Sequence, residues 1–201
     1  MKKINTLILI SLVLPFAAMG QGSMDDATST PGMMKEETAF KVKDYEVGGY
    51  GAPVVKMTRI NETDGVLNGV KAAALINHTW SIGGAAYALV NNVPFAGYAD
   101  RLELGYGGLD LDYMYQATND ITLSAGVLLG GGVTDFNDYT GNSDVIYLAE
   151  PEVSAQYAVN KNFKVALVAG YRGVTGSDIP GVTDANLSGF TYALAFNFGK
   201  F

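Results

Sequence analysis

Glu150 and Glu152 stand two residues apart with Pro151 between them. In an extended segment that spacing puts both carboxylates on one face. Two carboxylates confined side by side repel, so they need cations nearby or must share a proton. The same alternation offers Lys71, Lys164 and Arg172 as partners and places Glu103 on the shared face. Lys56, Asp110, Asp112 and Gln156 fall on that face by parity as well. Three chemistries suit such a set. One is a salt-bridge network that plugs an interior, one is a gated polar path or small-ligand site, and one is a hydrolytic carboxylate pair. Pro151 cannot donate to a strand ladder, and a bulge there would exchange the two faces on one side of it.

Other chemistry is sparse. His78 is the only histidine and there is no cysteine, which argues against a transition-metal site, disulfides or a lipoprotein anchor. Asp64, Asp100, Asp135, Asp138, Asp144, Asp178 and Asp184 lie in or beside longer connections, with no spacing that matches a calcium loop. The glycine runs 48–53 and 130–132 precede no helix, so they are not phosphate loops.

The elements that position these residues are strands. Phe190, Tyr192, Leu194, Phe196 and Phe198 alternate with Thr191, Ala193, Ala195, Asn197 and Gly199. One face is bulky and aromatic, the other small or polar. A lipid-facing wall around a narrow polar lumen has this pattern. Similar alternation predicts strands over about 48–60, 66–77, 80–90, 98–115, 120–130, 144–158 and 163–172, with the closing strand as the eighth. In the fourth, the apolar phase Leu102, Leu104, Tyr106 becomes Leu109, Leu111, Tyr113, Tyr115, and the slip predicts a bulge at Gly107-Gly108. Short turns at 77–79, 116–119 and 160–162 alternate with loops at 61–65, 91–97, 131–143 and 173–186. Periplasmic turns and longer external loops are the outer-membrane arrangement. Tyr45, Tyr50, Trp80, Tyr98, Tyr113, Tyr115, Tyr147, Tyr157, Phe163, Tyr171, Phe190 and Phe198 sit near strand ends, as interfacial girdles do.

Residues 1–20 read as a signal peptide: Lys2 and Lys3, an apolar run from Leu7 to Phe16, then Ala18-Met19-Gly20 for cleavage. Residues 21–44 are polar and aperiodic, and read as a flexible periplasmic leader. The barrel is expected over 45–201. Loss of Lys2 and Lys3 takes the formal charge from −7 to −9, a poor match for nucleic acid.

With this pattern in view, the chain resembles the small eight-stranded outer-membrane barrels, the OmpA/OmpX-like class, over about 45–201. The signal peptide, strand count, turn–loop asymmetry and terminal Phe201 carry the resemblance, with segments 150–172 (EPEVSAQYAVNKNFKVALVAGYR) and 76–91 (INHTWSIGGAAYALVN). Phe201 is out of phase with Phe196 and Phe198, which departs from the usual assembly signal. The resemblance implies an all-β, up-and-down antiparallel transmembrane barrel in the outer membrane of a Gram-negative-type bacterium. It implies lipid and lipopolysaccharide as surroundings and barrel-assembly machinery reading the C-terminal strand. Enzymes of this class, lipid A acyl-modifying enzymes and proteases, would want a His paired with Ser or Asp at the outer leaflet, but His78 falls in a periplasmic turn. The leading expectation is a non-enzymatic barrel with a structural or surface-interaction role. Its lumen would be plugged by Glu103, Glu150, Glu152, Lys71, Lys164 and Arg172, with no cofactor. The alternatives are a narrow channel for ions or very small solutes, a lipid-modifying enzyme, and a soluble lipocalin-like carrier with the same aromatics turned inward.

Overall fold

Asn61 and Glu62 adopt positive φ, 47° and 63°, and close a two-residue turn between β1 (Val47–Ile60) and β2 (Thr63–Ile76). Two successive left-handed residues match the twist of the paired strands. The segment 61–65 is therefore a tight turn rather than a loop. The computed structural model describes residues 46–95, 101–136 and 143–201. Tyr45, Tyr98, Asp100, Asp138, the signal segment and the leader lie outside them.

Six more strands follow: β3 (Trp80–Leu89), β4 (Leu102–Gln116), β5 (Ile121–Phe136), β6 (Asp144–Asn160), β7 (Phe163–Thr175) and β8 (Gly189–Lys200). A single helical turn, α1 (Asp184–Leu187), precedes β8. Each strand pairs antiparallel with the next, and β8 pairs with β1, so the sheet closes as a barrel. Closure satisfies the backbone within the sheet and leaves no edge, as a lipid surround requires. No described helix is long and apolar enough to cross a membrane.

The register corrects one sequence expectation. Gly107 and Gly108 pair with Ala86 and Ala85 on one side and with Gly131 and Gly130 on the other, without a break. There is no bulge. Leu102, Leu104 and Tyr106 point into the lumen, whereas Leu109 and Tyr113 point out. The apolar phase changes because the lumen changes, from apolar filling at the loop end to charge further down. Pro151 also leaves parity intact. The pairs Ala149↔Gly173 and Glu152↔Gly170 keep one register across it, so Glu150 and Glu152 both face inward.

The outer face is apolar and exposed to its surroundings, as at Met57, Trp80, Ile121, Tyr147, Val153, Leu167, Phe190 and Phe198. Ring pairs tie neighbouring strands on it: Trp80 meets Tyr113 edge-on at 5.1 Å, and Phe163 stacks on Phe198 at 4.6 Å. Tyr50 departs from the expected girdle. It is buried in the lumen and stacks on Phe201 at 5.7 Å.

At the loop end the lumen is closed by apolar side chains. Ile60, Leu67, Val93, Leu102, Phe136, Ile146 and Leu187 are essentially inaccessible, and Phe95 packs edge-on against Phe136 at 5.7 Å. Each such burial is worth about 1.5–3 kcal/mol. The segment 176–188 is tied over this seal. Asn61 N–H donates to the Asn186 carbonyl at 2.9 Å, Val174 N–H to Ser188 Oγ at 3.0 Å, and Ser177 N–H to Asp184 Oδ1 at 2.9 Å. Thr183 and Asn186 form a capping box on α1, which lowers Leu187 into the seal.

Candidate functional site

Below the apolar seal, alternation on β1, β2, β4, β6 and β7 turns their charged residues into the lumen. Lys56 on β1 reaches across the barrel to β6. Its Nζ donates to Glu150 Oε1 at 2.9 Å and to Glu152 Oε1 at 2.8 Å. All three groups are buried. Tyr106 donates its hydroxyl to Glu150 Oε2 at 3.2 Å, and the Lys56 ammonium lies 3.9 Å from the Tyr87 ring centre. One ammonium thus serves both carboxylates, and Glu150 is hydrogen-bonded from two sides, as a buried charge requires.

A second cluster lies beside it. Lys71 on β2 donates to Asp112 Oδ2 at 2.8 Å and pairs with Asp110 Oδ2, both on β4. Gly126 on β5 makes room here, since a Cβ at that position would meet the Asp112 carboxylate. Bulky lumenal groups fit a narrow barrel by leaning over small neighbours.

Arg172 is fully buried on β7 but takes no part in either cluster. Its Nε donates to the Leu187 carbonyl at 2.9 Å and its Nη2 to Thr58 Oγ1 at 3.3 Å, while the guanidinium lies 5.5 Å from the Tyr106 ring centre. It joins the charged section to the seal. We expect Arg172→Leu to loosen the segment 176–188 by removing the donor to Leu187. Faster limited proteolysis there, with the barrel still intact, is the measurement that checks this.

Two of the residues expected in the lumenal network stand elsewhere. Glu103 is exposed on the outer side of the loop end, with Oε1 3.9 Å from Arg101 Nη2. It was placed inside by the supposed slip at Gly107-Gly108, and without a bulge its parity is outward. Lys164 sits at the turn-end mouth, with Nζ 4.3 Å from the Phe201 ring centre. Of the cations, Lys71 joins Asp110 and Asp112 rather than Glu150 and Glu152, whose partner is Lys56. Parity could name Lys56 as inward, but not which inward residues meet across the barrel. Tyr87 and Tyr106 were missed. The signal for Tyr87 was present, because it alternates with the outward Ala86 and Ala88. Glu103→Gln is expected to change stability by no more than about 0.5 kcal/mol, as surface changes do, which urea unfolding would measure.

His78 lies in the turn between β2 and β3, with positive φ and Nδ1 3.8 Å from Glu46 Oε2. It is remote from the lumenal carboxylates in the fold, at the turn end of the barrel.

A closed eight-stranded antiparallel barrel, apolar outside and charged within, is the fold of the outer-membrane β-barrels of Gram-negative bacteria. No protein-family model matches the chain, and no curated protein sequence matches it. Among solved structures it is similar to Neisserial surface protein A, with a TM-score of 0.53 and 11% identity over 78% of this chain and 97% of that one. It is similar to Ail of Yersinia pestis, the attachment invasion locus protein, with a TM-score of 0.51 and 11% identity over 76% and 97%. The N-terminal β-barrel domain of Pseudomonas aeruginosa OprF gives 0.51 and 12% over 76% and 96%. At these identities the likeness is one of fold.

Proposed function

We propose that this chain is an outer-membrane barrel with a structural or surface-interaction role and a sealed lumen. The observation that carries the reading is the order of closures along the axis. An apolar seal at the loop end is followed by two buried ion clusters. Water and ions meet a hydrophobic constriction first, then charged groups already engaged with each other. The lipid-facing belt anchors the protein and the loop end presents a surface. Residues 1–20 direct export, residues 21–44 form a leader on the periplasmic side, and β8 engages the barrel-assembly machinery.

The loop end supports lipopolysaccharide as a neighbour. Among the described residues it carries Glu62, Asp64, Glu103, Asp135, Asp144, Asp178 and Asp184 against Arg59 and Arg101. Such a surface joins an anionic lipid layer through shared divalent cations. The Ail structure holds sucrose octasulfate, a heparin analogue. A polyanion suits the acidic loop end here poorly, so a different class of loop partner follows. The role is non-enzymatic on this reading, because His78 lies at the opposite end from the outer leaflet.

The experiment is conductance in planar bilayers. Purified, refolded protein is expected to insert without discrete current steps at neutral pH. Reproducible steps from the wild-type protein would favour the narrow channel and overturn the sealed lumen.

A further inference from the structure

Asn68 on β2 points outward and is exposed, and its side-chain amide has no hydrogen-bond partner among the described residues. On the outward face of the eight strands it is the one polar side chain, tyrosines apart, that stands away from a strand end. Arg59, Asp64, Glu103, Asp135, Thr175 and Lys200 are each within one residue of an end. Asn68 follows Asp64 on the same face and lies about 10 Å deeper in the membrane for a tilted strand. The ladder on both sides of β2 is closed, so no backbone group there is free to serve the amide. At that depth it meets acyl chains, which offer neither donor nor acceptor, and an unsatisfied polar group is costly.

The wall beside Asn68 is built from small residues. Ala88 and Gly105 continue its row across β3 and β4, and Ala86 with Gly107 and Ala72 with Gly84 form the rows below. On β6 to β8 the same belt carries Tyr147, Val153, Leu167 and Phe190. The barrel does not demand glycine at every such place. A Cβ at Gly105 would meet only the Tyr87 carbonyl oxygen at 3.9 Å, and one at Gly51, beside Ala72, only the Lys71 carbonyl oxygen at 4.0 Å. Small residues facing lipid let a second wall approach closely, and a polar side chain then finds its partner across the contact. A second copy of this chain fits both features. An amide carries donors and an acceptor, so it is its own complement. Two chains inserted in the same direction, related by a two-fold axis along the membrane normal, hold their Asn68 amides at one depth. We propose that this chain self-associates in the membrane through the outward face of β1 to β4, with each Asn68 amide donating to the other. The contact rests on the outer-membrane barrel proposed above and adds a partner to it.

The test is energy transfer between labelled copies of the full mature chain, refolded into phosphatidylcholine vesicles. The chain has no cysteine, so one introduced cysteine carries the donor or acceptor dye. It is placed at Thr79→Cys, between β2 and β3, or at Lys161→Cys, between β6 and β7 on the far side of the barrel. Transfer is expected to saturate with protein-to-lipid ratio at Thr79→Cys and to be several-fold weaker at Lys161→Cys. Asn68→Leu is expected to weaken association about threefold to twentyfold, the range of hydrogen bonds between membrane segments. Gly105→Leu keeps the amide but holds the walls apart, and is expected to abolish the transfer. Each chain is first scored for the heat-dependent band on gels, which separates loss of the barrel from loss of the dimer. Equal transfer from the two sites, or none from either, would overturn the proposal. So would transfer that both Asn68→Leu and Gly105→Leu leave unchanged. Monomers in vesicles that cross-link to a different protein in native membranes would overturn it in favour of that partner. Absence of the heat-dependent band from the unsubstituted chain would remove the barrel, and the dimer with it.

Discussion

Lys56→Met is expected to destabilise the folded barrel by about 3–5 kcal/mol, the usual cost of removing one partner from a buried ion pair. Among the described residues Lys56 is the sole ammonium in contact with Glu150 and Glu152, and both carboxylates are buried. Methionine fills much of the same volume, so the loss is electrostatic rather than a cavity effect. The two carboxylates would then face each other in a lumen where neither reaches bulk water. The combined variant Lys56→Met, Glu150→Gln, Glu152→Gln is expected to recover most of the loss, because neutral amides carry no uncompensated charge. Urea unfolding in lipid vesicles measures this, followed by the fluorescence of Trp80, the single tryptophan. A single variant as stable as wild type would mean that the cluster contributes nothing.

Gly130→Val is expected to abolish the folded barrel. Gly130 on β5 pairs with Gly108 on β4, and each leaves room for the other's backbone. A Cβ at Gly130 would meet the Gly107 carbonyl oxygen and Gly108 Cα, which are backbone atoms that cannot turn aside. Relief would require β4 and β5 to separate, breaking the ladder at mid-barrel in a lipid surround that offers no replacement donors. Gly173→Ala is the control, since a Cβ there makes an ordinary contact at 3.6 Å with the Ala149 carbonyl oxygen. Refolding yield, scored by the fast-migrating band on unheated gels, is the readout. Wild-type yield from Gly130→Val would show that β4 and β5 do not approach as described.

Much of the barrel was legible because alternation speaks directly about faces. Phe190, Tyr192 and Phe198 point outward as the pattern of β8 requires, and Glu150 and Glu152 point inward despite Pro151. Alternation failed where one assumption was hidden in it, that the inside is polar along its whole length. Leu102 and Leu104 break that assumption because they belong to the loop-end seal. Glu103 was then misplaced by one residue of supposed bulge. The expected loop from 131 begins inside β5 for a related reason: Gly131 and Gly132 extend a glycine run from Gly130 that has no alternation to show, yet they are strand positions where β5 meets its neighbours closely. The charge partners were the least legible part. Lys56 and Glu150 are far apart in the chain and meet only because closure sets β1 across from β6. Strand register, which fixes such meetings, is written in no single segment.

Gel mobility of the protein extracted from the outer-membrane fraction, unheated against boiled, tests the central claim most directly. A closed barrel with a lipid-facing aromatic belt should fractionate with the outer membrane, resist dodecyl sulfate until heated and migrate differently once boiled. Recovery from the soluble periplasmic fraction without detergent, with no change in mobility on boiling, would contradict the account. It would turn the assignment of inside and outside around and favour the lipocalin-like carrier.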